Sequence, residues 1–167
     1  MRTFLILFCL SLVGCHSIFP ERVPCPKTAI VAEFAKSVDF YKTTPIRTEI
    51  DSLIPHCTAE NNQIAVNIRM RLTSLRPSSS MLIPSTIKPS YFVAVIDDQG
   101  KILSRTDHTI EVTFTENQTT KVSFERIEEQ IPFQKGVSLY IGFNLDKSQL
   151  EYLQKERERR AQNQNAL

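Results

Sequence analysis

The stretch IAVNIRMRL, residues 64–72, decides the fold class of this chain. Its large apolar side chains alternate with small or polar ones, which is the pattern of a β-strand with one buried and one wet face. An amphipathic helix would need apolar residues three and four positions apart, and that spacing is missing here. We therefore predict a β-strand over residues 64–72.

Other segments carry strand signals of the same kind. The apolar run YFVAVI, residues 91–96, predicts a central strand that is buried on both faces. The DDQG sequence at residues 97–100 then predicts a tight turn into a hairpin. Apolar alternation recurs at residues 46–50, 110–114 and 137–145.

Residues 122–131 begin with the same alternation but slip phase near Arg126 and Ile127, so we expect a β-bulge there. In total, about seven short strands with regular turn signals and no βαβ alternation predict an all-β fold. The specific prediction is an antiparallel immunoglobulin-like or fibronectin-III-like sandwich over residues 28–146, with a barrel as the alternative.

Residues 147–167 are expected to form a C-terminal helix and a polar tail. Asp146 can cap this helix, and Gln149, three positions later, completes a capping-box pattern. Few apolar residues follow, so only the first turn should dock on the sandwich. The charged run KERERR, residues 155–160, is most simply a solvated helix face, and contact with an anionic surface such as lipid headgroups is the alternative.

The first part of the chain, residues 1–14, has the organisation of a secretory signal peptide. Arg2 supplies the positive start, and the apolar core over residues 4–13 is too short for a permanent span, which takes roughly 20 apolar residues. Cleavage before Cys15 would leave that cysteine at the start of a tether that runs to residue 27. The alternative is an ordinary signal peptide that is cut elsewhere and leaves Cys15 an unmodified thiol.

Two cysteines, Cys25 and Cys57, remain in the body once Cys9 has left with the signal and Cys15 has become the N-terminus. An even pair in an oxidising compartment favours a disulfide. That bond would close a loop of about 33 residues and stabilise the fold by about 3–4 kcal/mol. Two free thiols are one alternative, and the other is a metal site, for which His56 is the one further ligand close in sequence.

The composition excludes several function classes. Lys and Arg number 20 against 18 Asp and Glu, so there is no basic excess of the kind that a general nucleic-acid binder needs. Metal and nucleophile motifs are missing from the sequence. Ser104, Asp107 and His108 have the residue types of a catalytic triad, but Asp107 and His108 should point to opposite faces of one strand. We therefore predict no catalytic residues, no metal site and no cofactor.

The segment at residues 76–90 contains three prolines and five serines. A long segment without its own structure is uncommon in a compact domain and is often functional or mobile. A crossover between two sheets is the simpler interpretation, and it is the one that we favour.

The residues LVGC at 12–15 resemble a bacterial lipobox, and this resemblance implies that Cys15 carries a lipid anchor. More broadly, the chain resembles a family of short lipoproteins from Gram-negative proteobacteria. The segments that carry the resemblance are LVGC at 12–15, VPCP at 23–26, Cys57, YFVAVID at 91–97, QG at 99–100, IP at 131–132, GF at 142–143 and QL at 149–150. Members of this family have a longer, glycine-containing segment before the last strand, whereas this chain has only the short Gln134-Lys135-Gly136 there.

The resemblance implies a location and an architecture, and it brings no activity with it. In double-membrane bacteria, the residue after the lipidated cysteine biases sorting between the two membranes. Here that residue is His16 and not Asp, so the resemblance implies the outer membrane, with the body facing the periplasm. We expect a non-enzymatic accessory or interaction module whose sheet edges, or whose segment 76–90, contact an envelope protein. The alternative is a carrier that binds a small ligand between the sheets or in that segment. Nucleic acid is not expected as a partner.

Overall fold

Two β-sheets face each other and enclose one apolar core. The structure is a computed structural model, and it describes residues 21–60, 62–80, 84–132 and 136–164. The strands are β1 (Glu21–Arg22), β2 (Lys27–Ile30), β3 (Lys36–Tyr41), β4 (Thr44–Glu60), β5 (Gln63–Leu75), β6 (Ser85–Ile87), β7 (Ser90–Ile96), β8 (Ile102–Thr109), β9 (Val112–Phe114), β10 (Thr120–Pro132) and β11 (Ser138–Phe143). Helix α1 spans Lys147–Gln164, and short 3₁₀ turns cover Ala32–Phe34 and Ser78–Ser80.

The strands form three sheets, almost entirely by antiparallel pairing. The large sheet has the order β1-β4-β5-β10, and β3 also pairs with β4. The small sheet has the order β2-β11-β7-β8, in which β2 runs parallel to β11. Strands β6 and β9 form a separate pair.

The strand number differs from the sequence prediction. The described residues contain ten strands of three or more residues together with the two-residue β1, where about seven strands were expected. The excess comes from short segments that pair locally. Strand β6, for example, lies within the segment that was expected to be a plain crossover, and it pairs with β9.

The predicted strand at residues 64–72 lies within β5, at the centre of the large sheet. Ile68, Met70 and Leu72 are fully buried, and Arg69 and Arg71 between them are exposed. The inward side chains of β5 meet those of β11 and β7 from the small sheet in the shared core. The alternation in the sequence therefore reports which side of the sheet faces the core.

The predicted central strand and its hairpin are confirmed. Residues 91–95 of β7 are all buried, because Tyr91 and Val93 face the core while Phe92 is covered by Phe34 on the opposite face, with the ring centroids 6.0 Å apart. The turn into β8 is closed by a hydrogen bond from the Gly100 amide to the Asp97 carbonyl. Gly100 has a φ of 81°, a conformation that glycine adopts without strain.

The β-bulge expected near Arg126 is absent, because β10 pairs with β5 in one unbroken register from Thr120 to Pro132. The phase slip in the sequence has another cause. Val122 and Phe124 lie on the outer face of the sheet and are exposed, whereas Ile127 and Ile131 lie on the inner face and are buried. The apolar residues change faces along the strand without an inserted residue.

The capping box at the start of α1 is confirmed. The Gln149 amide donates to Asp146 Oδ1 at 2.9 Å, and the Asp146 amide donates to Gln149 Oε1 at 2.9 Å. Hydrogen bonds from the Ser148 hydroxyl and from the Gln149 amide lower the pKa of Asp146. Gln149 Nε2 also donates to the Val38 carbonyl at 2.8 Å, which ties the helix to β3. No helix in the described ranges is both long and apolar enough to cross a membrane.

A disulfide joins Cys25 to Cys57, with 5.3 Å between their Cα atoms. It fastens the segment before β2 to the last part of β4 in the large sheet, and the Val23 amide donates to the Cys57 carbonyl beside it. The predicted bond is thus confirmed. The described end of the predicted tether, residues 21–27, packs against β4, while residues 15–20 lie outside the described ranges.

We predict that the double variant Cys25→Ala, Cys57→Ala has a free energy of unfolding lower by about 3–4 kcal/mol, because its unfolded chain is no longer cross-linked. Urea unfolding measures this difference. A reductant should lower the midpoint of the unaltered protein and leave that of the double variant unchanged. An unaltered protein that keeps its midpoint after complete reduction would contradict the prediction.

Candidate functional site

The sequence singled out three cysteines, and the structure brings two of them together. Cys25 and Cys57 form the disulfide described above. Cys15, the predicted lipid site, lies outside the described residues.

The segment 76–90 is tied into the body of the protein at its start and end. Arg76 is buried, and its guanidinium donates to the carbonyls of Gln118 and Thr115 at 2.5 and 2.6 Å and lies over the Phe114 ring. The segment leads from β5 in the large sheet through β6 to β7 in the small sheet, so it is a crossover as predicted. Its residues 81–83 lie outside the described ranges.

The triad-type residues on β8 point to opposite faces, as expected. Asp107 accepts a hydrogen bond from Asn144 Nδ2 at 3.0 Å and another from Arg105, and these bonds lower its pKa, that from Asn144 most. His108 points the other way and stacks on Tyr91, with the ring centroids 5.1 Å apart. Asp107 and His108 therefore do not form a catalytic pair.

His108 does meet a carboxylate, but from the other sheet. Its Nε2 lies 3.9 Å from Glu129 Oε1 on β10, where the outermost strands of the two sheets approach each other. Burial raises the pKa of Tyr91 beside them, and the charges of Glu125 and Glu129 raise it further. Sequence spacing could not reveal a contact between two sheets. The available signal was the pair of acidic residues Glu125 and Glu129, four positions apart on the side of β10 that faces the core.

Strand β10 has one free edge. It pairs with β5 along all of Thr120–Pro132, and no strand among the described residues pairs with its other side. On its outer face, Val122 is exposed and Phe124 is 55% exposed. A long, regular edge with exposed apolar side chains is a template for pairing with another chain. We call this surface the β10 edge.

On the outer face, the β10 edge also carries positive charge at Arg126, while Glu128 lies two positions further along the same face. Arg126 lies directly across from Arg69 on β5, and like charges in that position repel each other. The Arg69 guanidinium lies 4.3 Å from the centre of the Phe124 ring. Neither arginine has a carboxylate within 4.0 Å in the described part of the chain, so a negative charge brought to this edge would relieve the repulsion.

A second surface lies between α1 and the outer face of the large sheet. There, a groove of about 350 Å³ runs between the helix and strands β3, β4 and β5. Four cationic side chains line it: Lys36, Arg47, Arg157 and Arg160. Leu75 and Leu153 add apolar surface. We call this surface the α1 groove.

The helix docks beyond its first turn, which corrects the expectation from the sequence. The run KERERR, residues 155–160, is predicted from the sequence to be a solvated helix face. Glu156 within it is only 8% exposed. It forms an ion pair with Arg47 of β4 and a second one, of 3.0 Å, with Arg160. A charged residue is buried here because two guanidinium groups neutralise it.

The other carboxylates of the α1 groove already have partners. Glu49 pairs with Lys36 at 3.2 Å. Asp51 accepts a hydrogen bond of 2.5 Å from the Thr73 hydroxyl, and its Oδ2 lies 3.6 Å from Nε of Arg71 on β5. Two donors remain. Arg157 has no carboxylate within 4.0 Å in the described residues, and the buried Nε of Arg47 has no hydrogen-bond partner there.

Comparison with known proteins gives no relative from which a role could be transferred. No family model, no curated protein and no solved structure matches this chain. No group of three or more His, Cys, Asp or Glu in the described ranges is placed to hold a metal ion. The β10 edge and the α1 groove are therefore interpreted from their own geometry.

We predict that Glu156→Gln lowers the free energy of unfolding by about 1–2 kcal/mol, because Arg47 and Arg160 then lose the charge that they share. Urea unfolding measures the change. Glu151→Gln is the matched control on the same helix, since the ion pair of Glu151 with Lys147 is long and exposed, and its loss should cost less than about 0.5 kcal/mol. Equal effects of the two substitutions would rule out a structural role for the buried carboxylate.

Proposed function

We propose that this protein is a non-enzymatic interaction module of the bacterial cell envelope, and that it binds an extended segment of a partner protein along the β10 edge. One observation carries the proposal: the edge of β10 is free over thirteen residues and is flanked by the exposed Val122 and Phe124. A segment that adds as a further strand would gain main-chain hydrogen bonds along this edge.

The regularity of β10 supports strand addition. Protein edges are commonly protected by bulges or prolines that interrupt pairing, and β10 has neither between Thr120 and Ile131. Its protection is the charge at its core-facing positions Glu125 and Glu129. Such charges exclude strands that lack a matching charge and admit those that carry one.

The side chains around the edge define the partner segment. On the outer face, an apolar side chain would pack on Phe124 and an acidic one would lie opposite Arg126. On the inner face, cationic side chains four residues apart would meet Glu125 and Glu129, since residues two and four apart on a strand share a face. The proposed partner is thus an extended segment that is acidic and apolar on one face and basic on the other.

We further propose an immunoglobulin-like or fibronectin-III-like class for the sandwich. Its two facing sheets around a single core support this class. The β6–β9 pair is then an addition to it.

The proposed location is the periplasmic face of the outer membrane, through a lipid on Cys15. Support for this location comes from the leader sequence, with its positive start, its short apolar core and LVGC at residues 12–15. A lipid anchor would hold the β10 edge close to the membrane, where an envelope partner can reach it.

Photo-crosslinking in living cells tests the proposed surface. A photoreactive phenylalanine analogue at Phe124 should give one discrete adduct, and the crosslinked site in the partner should lie in an extended segment. The same analogue at Ile102, which is 56% exposed on β8, should not give this adduct. Val122→Lys should abolish the adduct and Ile102→Lys should leave it unchanged. An adduct that survives Val122→Lys, or none at Phe124, would reject the β10 edge as the binding surface.

Cell fractionation tests the anchor. We predict that Cys15→Ser moves the protein from the membrane fraction to the soluble periplasmic fraction, or leaves it unprocessed at a larger size. Cys9→Ser, which changes a cysteine inside the leader, should leave the membrane-bound mature form unchanged. Membrane association at the usual size and amount in the Cys15→Ser variant would disprove the lipid anchor.

A further inference from the structure

We infer that the α1 groove binds one anionic amphiphile, of the kind represented by a fatty carboxylate. Its head lies between β4 and α1, and its apolar chain follows the outer face of β5 towards β10. The head site is separate from the β10 edge, whereas the far end of the apolar chain would reach Val122 and Phe124 of that edge. The inference does not depend on the proposed protein partner.

The head site follows from the donors that remain in the groove. The carboxylates of Glu49, Asp51 and Glu156 are each held by a neighbouring side chain, so their charges are already engaged. Arg47 Nε and Arg157 are left as donors. A buried N–H without an acceptor is costly, so an oxygen anion in the groove would stabilise the arrangement.

The charge balance favours an anionic head. Four cations and three carboxylates line the groove, and Asp51 is also neutralised by Arg71, which lies outside the lining, so the side chains at the groove carry an excess of positive charge. A carboxylate head would reduce this excess.

The path of the apolar chain follows from an exposed stripe that begins in the groove. Leu75 lines the groove and is 48% exposed. Val122 lies directly across from Thr73, which is also a lining residue, and Phe124 continues on the same face. The solvent face of an antiparallel sheet is normally polar, so three exposed apolar side chains on one part of it favour a binding surface, although Thr73 and Arg71 lie among them.

The dimensions agree with this assignment. A volume of about 350 Å³ lies in the range of small-molecule sites. It holds a head with the first part of a chain, and the stripe beyond Leu75 takes the remainder. The affinity should therefore rise with chain length, by up to about fourfold for each additional buried methylene.

Titration calorimetry on the full-length chain carrying Cys15→Ser tests the inference, with each probe below its critical micelle concentration. Laurate should bind with a stoichiometry of one, more tightly than decanoate. Acetate, which lacks the chain, and dodecyl maltoside, which lacks the charge, should both bind far more weakly than laurate. Tight binding of dodecyl maltoside would mean that the groove recognises only the apolar chain, and this result would contradict the inference.

Two matched pairs of variants locate the site. Arg157→Glu should weaken laurate binding by about tenfold or more, whereas Arg159→Glu, on the same helix but outside the groove lining, should change it by less than about twofold. Leu75→Ser should weaken binding, and Ile102→Ser, on a similarly exposed residue of β8, should not. Arg157, Arg159 and Leu75 are not used in the proposed crosslinking test, and Ile102 serves only as a control in both, so either proposal can fail without the other.

Vesicle sedimentation separates a free amphiphile from a membrane surface. If the chain bound anionic vesicles but not laurate, and if both arginine substitutions weakened vesicle binding equally, the basic face of α1 would be contacting headgroups and the inference would be overturned. Absence of laurate binding would also overturn it.

Discussion

The antiparallel pairing of β5 with β4 on one side and β10 on the other is the constraint on which the rest of the structure depends. Because side chains alternate across a strand, a slip by one residue would move every apolar side chain of β5 to the outer face. The buried Ile68, Met70 and Leu72 prevent such a slip. The same register necessarily places Arg69 and Leu75 on the outside, where they belong to the β10 edge and the α1 groove, respectively. The register of β5 thus determines both which residues form the core and which residues form the candidate sites.

Strand β4 keeps its apolar side chains inward along its whole length only because it contains a bulge at Asp51, where its register with β5 shifts. Before it, Ile46 and Ile50 face the core at even positions, and after it Leu53 and Cys57 do so at odd positions. Without this shift, Cys57 would point to the outer face and could not reach Cys25. The bulge therefore makes the disulfide compatible with the core, and the cross-linked loop in turn restricts the unfolded chain.

The sequence predicted the elements in which local chemistry and burial agree. Tyr91–Ile96, the Asp97–Gly100 turn and the Asp146 cap each carry a local signal that the tertiary structure does not override. The prediction failed where apolar residues face solvent. The alternation over residues 46–50, if continued along the strand, would place Ile54 on the inner face. Ile54 instead lies on the outer face and is 62% exposed, because the bulge at Asp51 intervenes. On β10 the sequence predicted a bulge that is absent. The exposed Val122 and Phe124 were expected to face the core, and this made the inward Ile127 look out of phase.

The β10 edge and the α1 groove could not be predicted from the sequence for a related reason. Both depend on how the strands and helix α1 are oriented against each other. The run KERERR has no apolar periodicity from which the inward face of the helix could be read. Its rotation is set from outside the run, by the bond from Gln149 to β3 and by the edge contact of Tyr152 with Phe40. With the helix held in this way, Glu156 turns inward to Arg47 and Arg157 turns towards the groove. The contacts of Gln149 and Tyr152 with β3 thus decide which charges of the run support the fold and which remain to bind an anion.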